Sequence, residues 1–521
     1  MRISTSQFYE STAANYQKNF AKVVKTSEEA SSLVRVNTAA DDPVGASRLL
    51  QLGTQASMLA QYETNASTIK ATLGTTEAVM NSIGNVLQRA KELAVGAGNA
   101  GYTDADRQAN ASELAQIEEQ LLSLMNSKDE NGKYIFAGSK GDTIPFTRNN
   151  DGSYSYNGDQ VTLDLPVGDT MSMATNSTGW EVFQQAVNTS RSQVTMTAPA
   201  VNDGRVVLSD GQVSSSVSYN SKFRSGEPYT VEFTSGTQLK ITDSGGNDVT
   251  AEASQGGAFD PNSKSGQAVQ FRGLELTLNI NLQAGDTAGT VLPGHTFTLA
   301  AKPDTFVPSR SPGNPTTVQI TNSTITDPVA YHASFPTGSA VLKFTSATDF
   351  DLYAAPLTAD SQPVSSGTLA GNVATASGVS FTLDGTPAAD DQFSIAVNTH
   401  ETQNILDTVN QLKTALSTPT NNDPIALQKL QASLASGIGN LASGTDQLSS
   451  ALSSVGGRGQ ALDNQSDTNQ SLIAANTQTQ SSIRDSDAAE VMTRLTLQQT
   501  MLQASQLAFS KIAQLGLFNK I

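Results

Sequence analysis

Cysteine is absent from all 521 positions of the chain. That absence excludes disulfides, thiolate-held metals and cysteine nucleophiles, and it removes any covalent obstacle to threading the unfolded chain through a narrow channel. Aromatic residues are scarce, at 6% with Trp180 the single tryptophan, so no segment promises a large aromatic core. No run of about 18 consecutive apolar residues occurs, and Met1 to Phe20 lacks the unbroken apolar stretch of a secretory signal. The expectation is a chain that neither spans a membrane nor carries a cleavable address. Positive charge is in deficit, 31 basic against 48 acidic residues for a net charge of -17. Nucleic acid and anionic membranes both attract basic surfaces, so neither is expected as a partner.

Catalytic signals are equally poor. The three histidines, His295, His332 and His400, show no metal-ligand spacing, and no nucleophile elbow or phosphate-cradling glycine loop is present. Asp243-Ser-Gly-Gly-Asn-Asp248 is an isolated acidic stretch that reads as a hairpin turn rather than a calcium loop. The expectation is a non-enzymatic protein with no catalytic residue, cofactor or metal.

What the chain does have is the same helical pattern at both ends. Tyr9, Ala13, Tyr16, Phe20, Val23, Ala30 and Val34 follow alternating steps of three and four, interrupted by Ser27. Val491, Leu495, Leu502, Phe509 and Ile512 do the same, with Gln498 and Ser505 as polar exceptions. Each set makes one narrow apolar seam, suited to helix-on-helix packing. So narrow a seam leaves the ends mobile in a free chain and ordered in an assembly, with an intramolecular helix pair as the open alternative.

The first helix is expected to stop near Val36, ahead of the turn Asn37 to Asp42. Asp42 then caps a long helix that starts at Pro43 and breaks at Gly96 to Gly101. A third helix runs from Thr103 or Asp104 to about Asn126. Helical texture returns after Thr399, with a seam from Ile405 to Leu416. A second Asp-Pro start at Asp423-Pro424 opens another seam, which reaches Val455 before Gly456-Gly457.

Between these helices the sequence is strand-like. Residues 147–167 read as hairpins, followed by a weakly hydrophobic connector through Val201. Tyr229 to Ile241 resembles Ala340 to Leu352, and Gly273 to Leu278 matches Gly378 to Leu383. Two related β modules are therefore expected, joined by a linker through Pro303 to Pro315 and Asp327-Pro328, although convergent Ser/Thr/Gly-rich strand composition is an alternative. Tyr219, Tyr229, Phe271 and Tyr353 read as strand-face residues rather than a glycan platform.

The predicted fold is α+β and multidomain: terminal helices paired into a coiled-coil or helical-bundle stem, with inserted all-β domains. The expected divisions are terminal helices 1–37 with 485–521, a helical bundle 38–140 with 401–484, a small β unit and connector 141–201, and β modules 202–326 and 327–400.

Asn37-Thr-Ala-Ala-Asp-Asp-Pro-Val-Gly-Ala46, with the helix ending Leu87-Gln-Arg-Ala-Lys-Glu-Leu-Ala-Val95, resembles the N-terminal region of the bacterial flagellin superfamily. Ser482 to Val491 resembles the segment leading into that family's C-terminal helix. Within the superfamily, Met1-Arg-Ile-Ser-Thr5, Asn131 to Ser139 and Leu497 to Ser505 look most like its hook–filament junction members, with flagellin itself as the runner-up. The resemblance implies a structural component of the flagellum, exported by the flagellar type III apparatus. Its implied partners are the first hook-associated protein, flagellin, further copies of itself in a ring and an export chaperone. The residues it marks for subunit packing are Tyr9, Tyr16, Phe20, Val23, Val34, Asn37, Asp42, Pro43, Val491, Leu495, Leu502, Phe509 and Ile512.

Overall fold

The structure is a computed structural model that describes residues 5–518, except 100, 150–151, 264, 312, 336–338, 356, 359–360 and 422. Among the described residues it has six long helices, α1 (Thr5–Ser32), α2 (Pro43–Ala97), α3 (Asp104–Met125), α4 (Ile405–Ser417), α5 (Pro424–Arg484) and α6 (Ala488–Phe518). None is long and apolar enough to cross a membrane.

Local chemistry explains most helix starts. Asp42 Oδ1 accepts the Gly45 N–H at 2.9 Å and Asp423 Oδ1 accepts that of Ile425 at 2.9 Å, each just ahead of a proline in the first helical position. Thr103 and Asp106 form a reciprocal capping box at the start of α3.

The chain divides into two compact units. The first comprises Met1–Gly74, Leu163–Thr175 and Gly456–Ile521. In it α1 runs antiparallel to α6, and the start of α2 lies along the end of α5, where Asn476 donates to the Leu52 carbonyl at 3.1 Å. A hairpin of β3 (Asp164–Pro166) and β4 (Ser172–Ala174) is pinned by one asparagine from each of these helices. Asn65 donates to the Pro166 carbonyl at 2.8 Å and Asn469 to that of Val167 at 2.9 Å.

The second unit comprises Thr75–Thr162 and Asn176–Val455. Here α3 packs on α4 beside a short hairpin of β1 (Phe146–Arg148) and β2 (Tyr154–Tyr156). At its centre Glu118, with 1% of its side chain exposed, accepts from Tyr154 Oη at 2.7 Å, Asn410 Nδ2 at 2.8 Å and Lys413 Nζ at 2.5 Å. The chain then leaves the helices at residues 186–188 and returns alongside at 401–403, where the Asn188 N–H meets the Glu401 carbonyl at 3.0 Å and the Gln403 N–H that of Ala186 at 2.9 Å.

Beyond this neck lie two β modules, each with its own hydrophobic core. The first contains β5 (Ser192–Ala198), β6 (Val206–Leu208), β7 (Gln212–Val213), β8 (Tyr229–Phe233), β9 (Leu239–Thr242), β10 (Gln267–Phe271), β11 (Leu274–Ile280) and β12 (Thr296–Ala301). One sheet has the order β5-β12-β8-β9, and the other β10-β11-β6 with β7 also on β11. The second module contains β13 (Thr305–Arg310), β14 (Ile320–Ile325), β15 (Ala340–Phe344), β16 (Asp349–Ala354), β17 (Ser365–Thr368), β18 (Val373–Ala376), β19 (Val379–Leu383) and β20 (Gln392–Asn398). Its sheets run β13-β20-β15-β16-β17 and β14-β19-β18.

The modules repeat the same turn in atomic detail. Gly273 and Gly378 sit at φ 87° and 76°, and their carbonyls each accept two consecutive N–H groups, from Ser214 and Ser215 in one and Thr326 and Asp327 in the other. A Cβ on Gly273 would lie 2.7 Å from the Ser215 oxygen, and one on Gly378 would run into the Asp327 oxygen. Only glycine fits both the backbone angle and the space.

Four details differ from the sequence expectations. The first helix ends at Ser32 rather than Val36, because residues 33–36 bond the 484–486 backbone instead. The segment expected as connector holds β5, and the segment expected as linker holds β13 and β14, so the second module's sheets begin ahead of residue 327; Asp327-Pro328 caps a helical turn, Pro328–Ser334. These strands carry too few apolar residues to announce themselves and are held by pairing with β12, β20 and β19. Finally, α5 continues through Gly456-Gly457, since burial of Val455 and Leu462 on either side outweighs a helix penalty of about 1 kcal/mol per glycine.

Candidate assembly interface

The α1–α6 pair holds six of the thirteen residues marked for packing. Tyr16 stacks on Phe509 with ring centroids 6.2 Å apart, and one turn on, Asn19 Nδ2 donates to Ser505 Oγ at 2.7 Å. Val23, Leu495 and Leu502 are half-buried, and Val491 is fully buried. At the base of the pair Arg494 and Ser486 both reach Glu29, each at 2.6 Å. Beyond it Val34 forms a β-bridge with Asp485, the Ser486 N–H meets the Leu33 carbonyl at 2.9 Å, and the Arg35 N–H that of Arg484 at 2.7 Å.

The turn before α2 is a second cluster. Asp41 accepts from Lys25 Nζ at 2.6 Å and from both the N–H and hydroxyl of Thr38 at 2.9 Å. The Lys25 contact, followed by the Thr38 bonds, holds its carboxyl well below the usual carboxylate range, and the same ion pair raises Lys25. Asp42 is half-buried as the cap of α2, with Gly45 pressed against its carboxylate and Ile483, while Pro43 and Asn37 are exposed.

The remaining marked residues fall elsewhere. Phe20 is 51% exposed and touches Tyr16 only at a 6.4 Å ring separation, so it flanks the seam rather than filling it. The buried position six residues further on is Thr26, 5% exposed, whereas Ser27 faces outward. The side chains of Tyr9 and Ile512 lie outside the described residues. Sequence reading missed Asn19, Thr26, Glu29, Ser486 and Arg494. The signal was present: polar residues recur seven apart at 19 and 26 in one helix and at 498 and 505 in the other.

The sequence's other candidate residues fall as follows. Among the described residues no group of histidines and acids could hold a metal ion. His295 is buried between the Leu292 carbonyl and Asp203, and His400 Nε2 lies 3.1 Å from the Pro303 carbonyl; the His332 side chain is outside the described residues. Asp243 accepts the Gly245 and Asn247 N–H groups, as a turn acid does. Tyr219, Tyr229 and Phe271 are at most 2% exposed, which leaves no aromatic platform there. Tyr219 belongs to a helical turn rather than a strand.

Residues 3–141 match the family described as bacterial flagellin N-terminal helical region. Over 183 residues the chain is 33% identical to flagellar hook-associated protein 3 of Salmonella typhimurium, covering 35% of this chain and 57% of that protein. Over that stretch the chain is similar to flagellar hook-associated protein 3. The Escherichia coli hook-associated protein 3 is 31% identical over the same share of each chain, so the chain spans a little more than half the length of these curated relatives. A flagellin from Salmonella montevideo is 26% identical over 229 residues, 40% of this chain and 43% of that one. The crystal structure of hook-associated protein 3 from Legionella pneumophila superposes with a TM-score of 0.51 at 18% identity, covering 82% of this chain and 97% of that chain, which shows the same fold.

Proposed function

We propose that this chain is a structural subunit of the bacterial flagellum, an adaptor at the junction between hook and filament. The observation that carries the proposal is the 33% identity to hook-associated protein 3 over 183 residues, against 26% to the flagellin over 229 residues and 34% to a filament core protein of Borreliella burgdorferi over only 119 residues. The geometry supports a packing role. Phe20 and Val24 on α1, and Leu497, Met501 and Leu507 on α6, are 41–63% exposed on helices whose seam is already closed. Such residues need cover that one copy does not supply.

In this reading the terminal helices pack against neighbouring copies in a ring, with the first hook-associated protein on one side and flagellin on the other. An export chaperone accompanies the chain before export through the flagellar type III apparatus. The subunit carries no catalytic step. Labelling the chain on intact flagella tests the placement: a ring at the hook end supports the junction, and signal along the filament supports a flagellin-type subunit instead. Deleting residues 491–521 should abolish assembly while the β modules stay folded; normal junctions with that deletion would refute the reading.

A further inference from the structure

His295 precedes β12 directly, and its side chain is 4% exposed. Each ring nitrogen faces an oxygen: Nδ1 lies 3.0 Å from the Leu292 carbonyl and Nε2 3.1 Å from Asp203 Oδ1. A neutral imidazole carries one N–H, so it satisfies one of these oxygens and turns a lone pair towards the other; only the protonated ring donates to both. The charged surroundings suit a cation. Asp203 and Arg205 stand on the loop ahead of β6, where Arg205 pairs with Asp203 at 3.4 Å and with Asp286 at 2.9 Å. On the neighbouring strand β8, Glu232 lies opposite Thr296 and is exposed. Burial works to raise the pKa of Asp203, but the Arg205 N–H and the His295 ring outweigh it and hold the carboxyl below its usual value. Asp203 therefore stays ionised across the range in which a histidine changes charge.

The loop that His295 holds is also the contact between the first β module and α5. Next to Asp203, the Gly204 carbonyl accepts from Asn281 Nδ2 at 3.0 Å, and Asn281 Oδ1 accepts from Gln428 of α5 at 3.1 Å. A Cβ on Gly204 would lie 3.1 Å from the Ile425 side chain, so the loop backbone is pressed onto the first turn of α5. Towards solvent the loop is open: Val201 is 80% exposed, Asn202 is exposed, and 31% of the Asp203 side chain is accessible.

We propose that His295 is a proton-operated latch: its charged form holds the 202–205 loop, and with it the first β module, against the start of α5, and loss of the proton releases that contact. Deprotonation leaves a buried ring nitrogen and an oxygen facing each other lone pair to lone pair. Water relieves this only when Asp203 swings outward, and the loop moves with it. The latch is closed at lower pH and opens as pH rises. It is a property of the single chain and does not depend on the proposed function.

Two readouts on the purified full-length chain test the latch. The chain has only three histidines, so nuclear magnetic resonance of isotope-labelled histidine follows each ring, and His295→Gln assigns its signal. Hydrogen exchange, corrected for intrinsic rates, follows the Gly204, Arg205 and Asn281 amides, which bond Asn202, Asp203 and the Arg205 carbonyl. Between about pH 5 and pH 8 their protection should fall at least tenfold, with the same midpoint as proton loss from the His295 ring, while β10 and β19 stay equally protected. His295→Gln should show the weakly protected loop at both pH values, and His400→Gln should keep the pH step. If His295→Gln does not fold, seen as lost protection in β10, coincidence of the two midpoints in the unaltered chain decides. Equal loop protection at both pH values, a midpoint different from that of the ring, or a pH step that survives in folded His295→Gln would overturn the proposal.

Discussion

Asn440 of α5 accepts two hydrogen bonds from Thr189, one from its N–H at 2.7 Å and one from its hydroxyl at 2.6 Å. Its own amide nitrogen, with two hydrogens to donate, lies 3.2 Å from each of the acceptor oxygens of Asn188, Ser190 and Gln403. One buried side chain thus ties the outgoing and returning strands of the β excursion to the helix beneath them.

Asn440→Ala should therefore lower the stability of the second unit by about 2–4 kcal/mol, since it orphans several buried polar groups at once. Denaturant unfolding measures the loss. Hydrogen exchange should localise it to residues 186–190 and 401–404, with both β modules still protected.

Two glycines of α5 should respond in opposite ways to the same change. A Cβ on Gly437 would run into the Leu412 side chain of α4, while one on Gly456 meets nothing within 4 Å. Gly456→Ala is expected to stabilise by about 0.5–1 kcal/mol through helix propensity. Gly437→Ala should destabilise by about 1–3 kcal/mol, because overpacking exceeds that gain. Thermal melts of the two variants check the sign directly.

Glu118 makes acid stability measurable at one site. Burial works to raise its pKa, but the bonds from Lys413, Asn410 and Tyr154 outweigh burial and hold it below the usual carboxylate range. A depressed carboxylate stabilises the fold above its unfolded-state pKa, and the unfolded chain takes up the proton first as pH falls. The contribution is therefore complete near neutrality and is lost as pH drops below the ordinary glutamate range towards the folded-state value. Glu118→Gln should flatten this acid limb of the stability curve. Glu118→Ala should cost about 3 kcal/mol or more at pH 7, because Lys413 is left without its buried partner.

Phe20 and Val23 separate packing within one copy from packing between copies. Phe20→Asp alters an exposed side chain, so helix content and melting of the purified chain should change by no more than about 0.5 kcal/mol. Incorporation into flagella should nevertheless fail. Val23→Asp should weaken the helix pair already in the free chain, as seen by circular dichroism. Normal incorporation of Phe20→Asp would remove the exposed flank from the interface.

Gly273→Ala and Gly378→Ala should each damage only their own β module, by about 2 kcal/mol or more, as both turns combine positive φ with a carbonyl in the way. Exchange protection read separately for residues 206–301 and 318–397 resolves the two effects.

Much of this architecture was legible in the sequence because its causes are local. The seams of three and four, the Asp-Pro starts at 42–43 and 423–424, the Thr103 cap and the alternating strands β8, β11, β15 and β19 depend on neighbours within a turn or a strand.

What the tertiary structure decided is everything that depends on a distant partner. Whether Thr26 or Ser27 is buried, and whether Phe20 fills the seam or flanks it, depends on the rotation of α1 against α6, and a shift of one residue turns a helix face by about 100°. The weakly apolar strands β5, β13 and β14 exist because β12, β20 and β19 offer them hydrogen bonds. Gly456 stays helical because its neighbours are buried. The buried polar anchors Glu118 and Asn440 have the same composition as any surface residue, and only the approach of another element shows that water has been replaced by protein. Sequence set the period of each element; long-range packing set its phase, its edges and its polar interior.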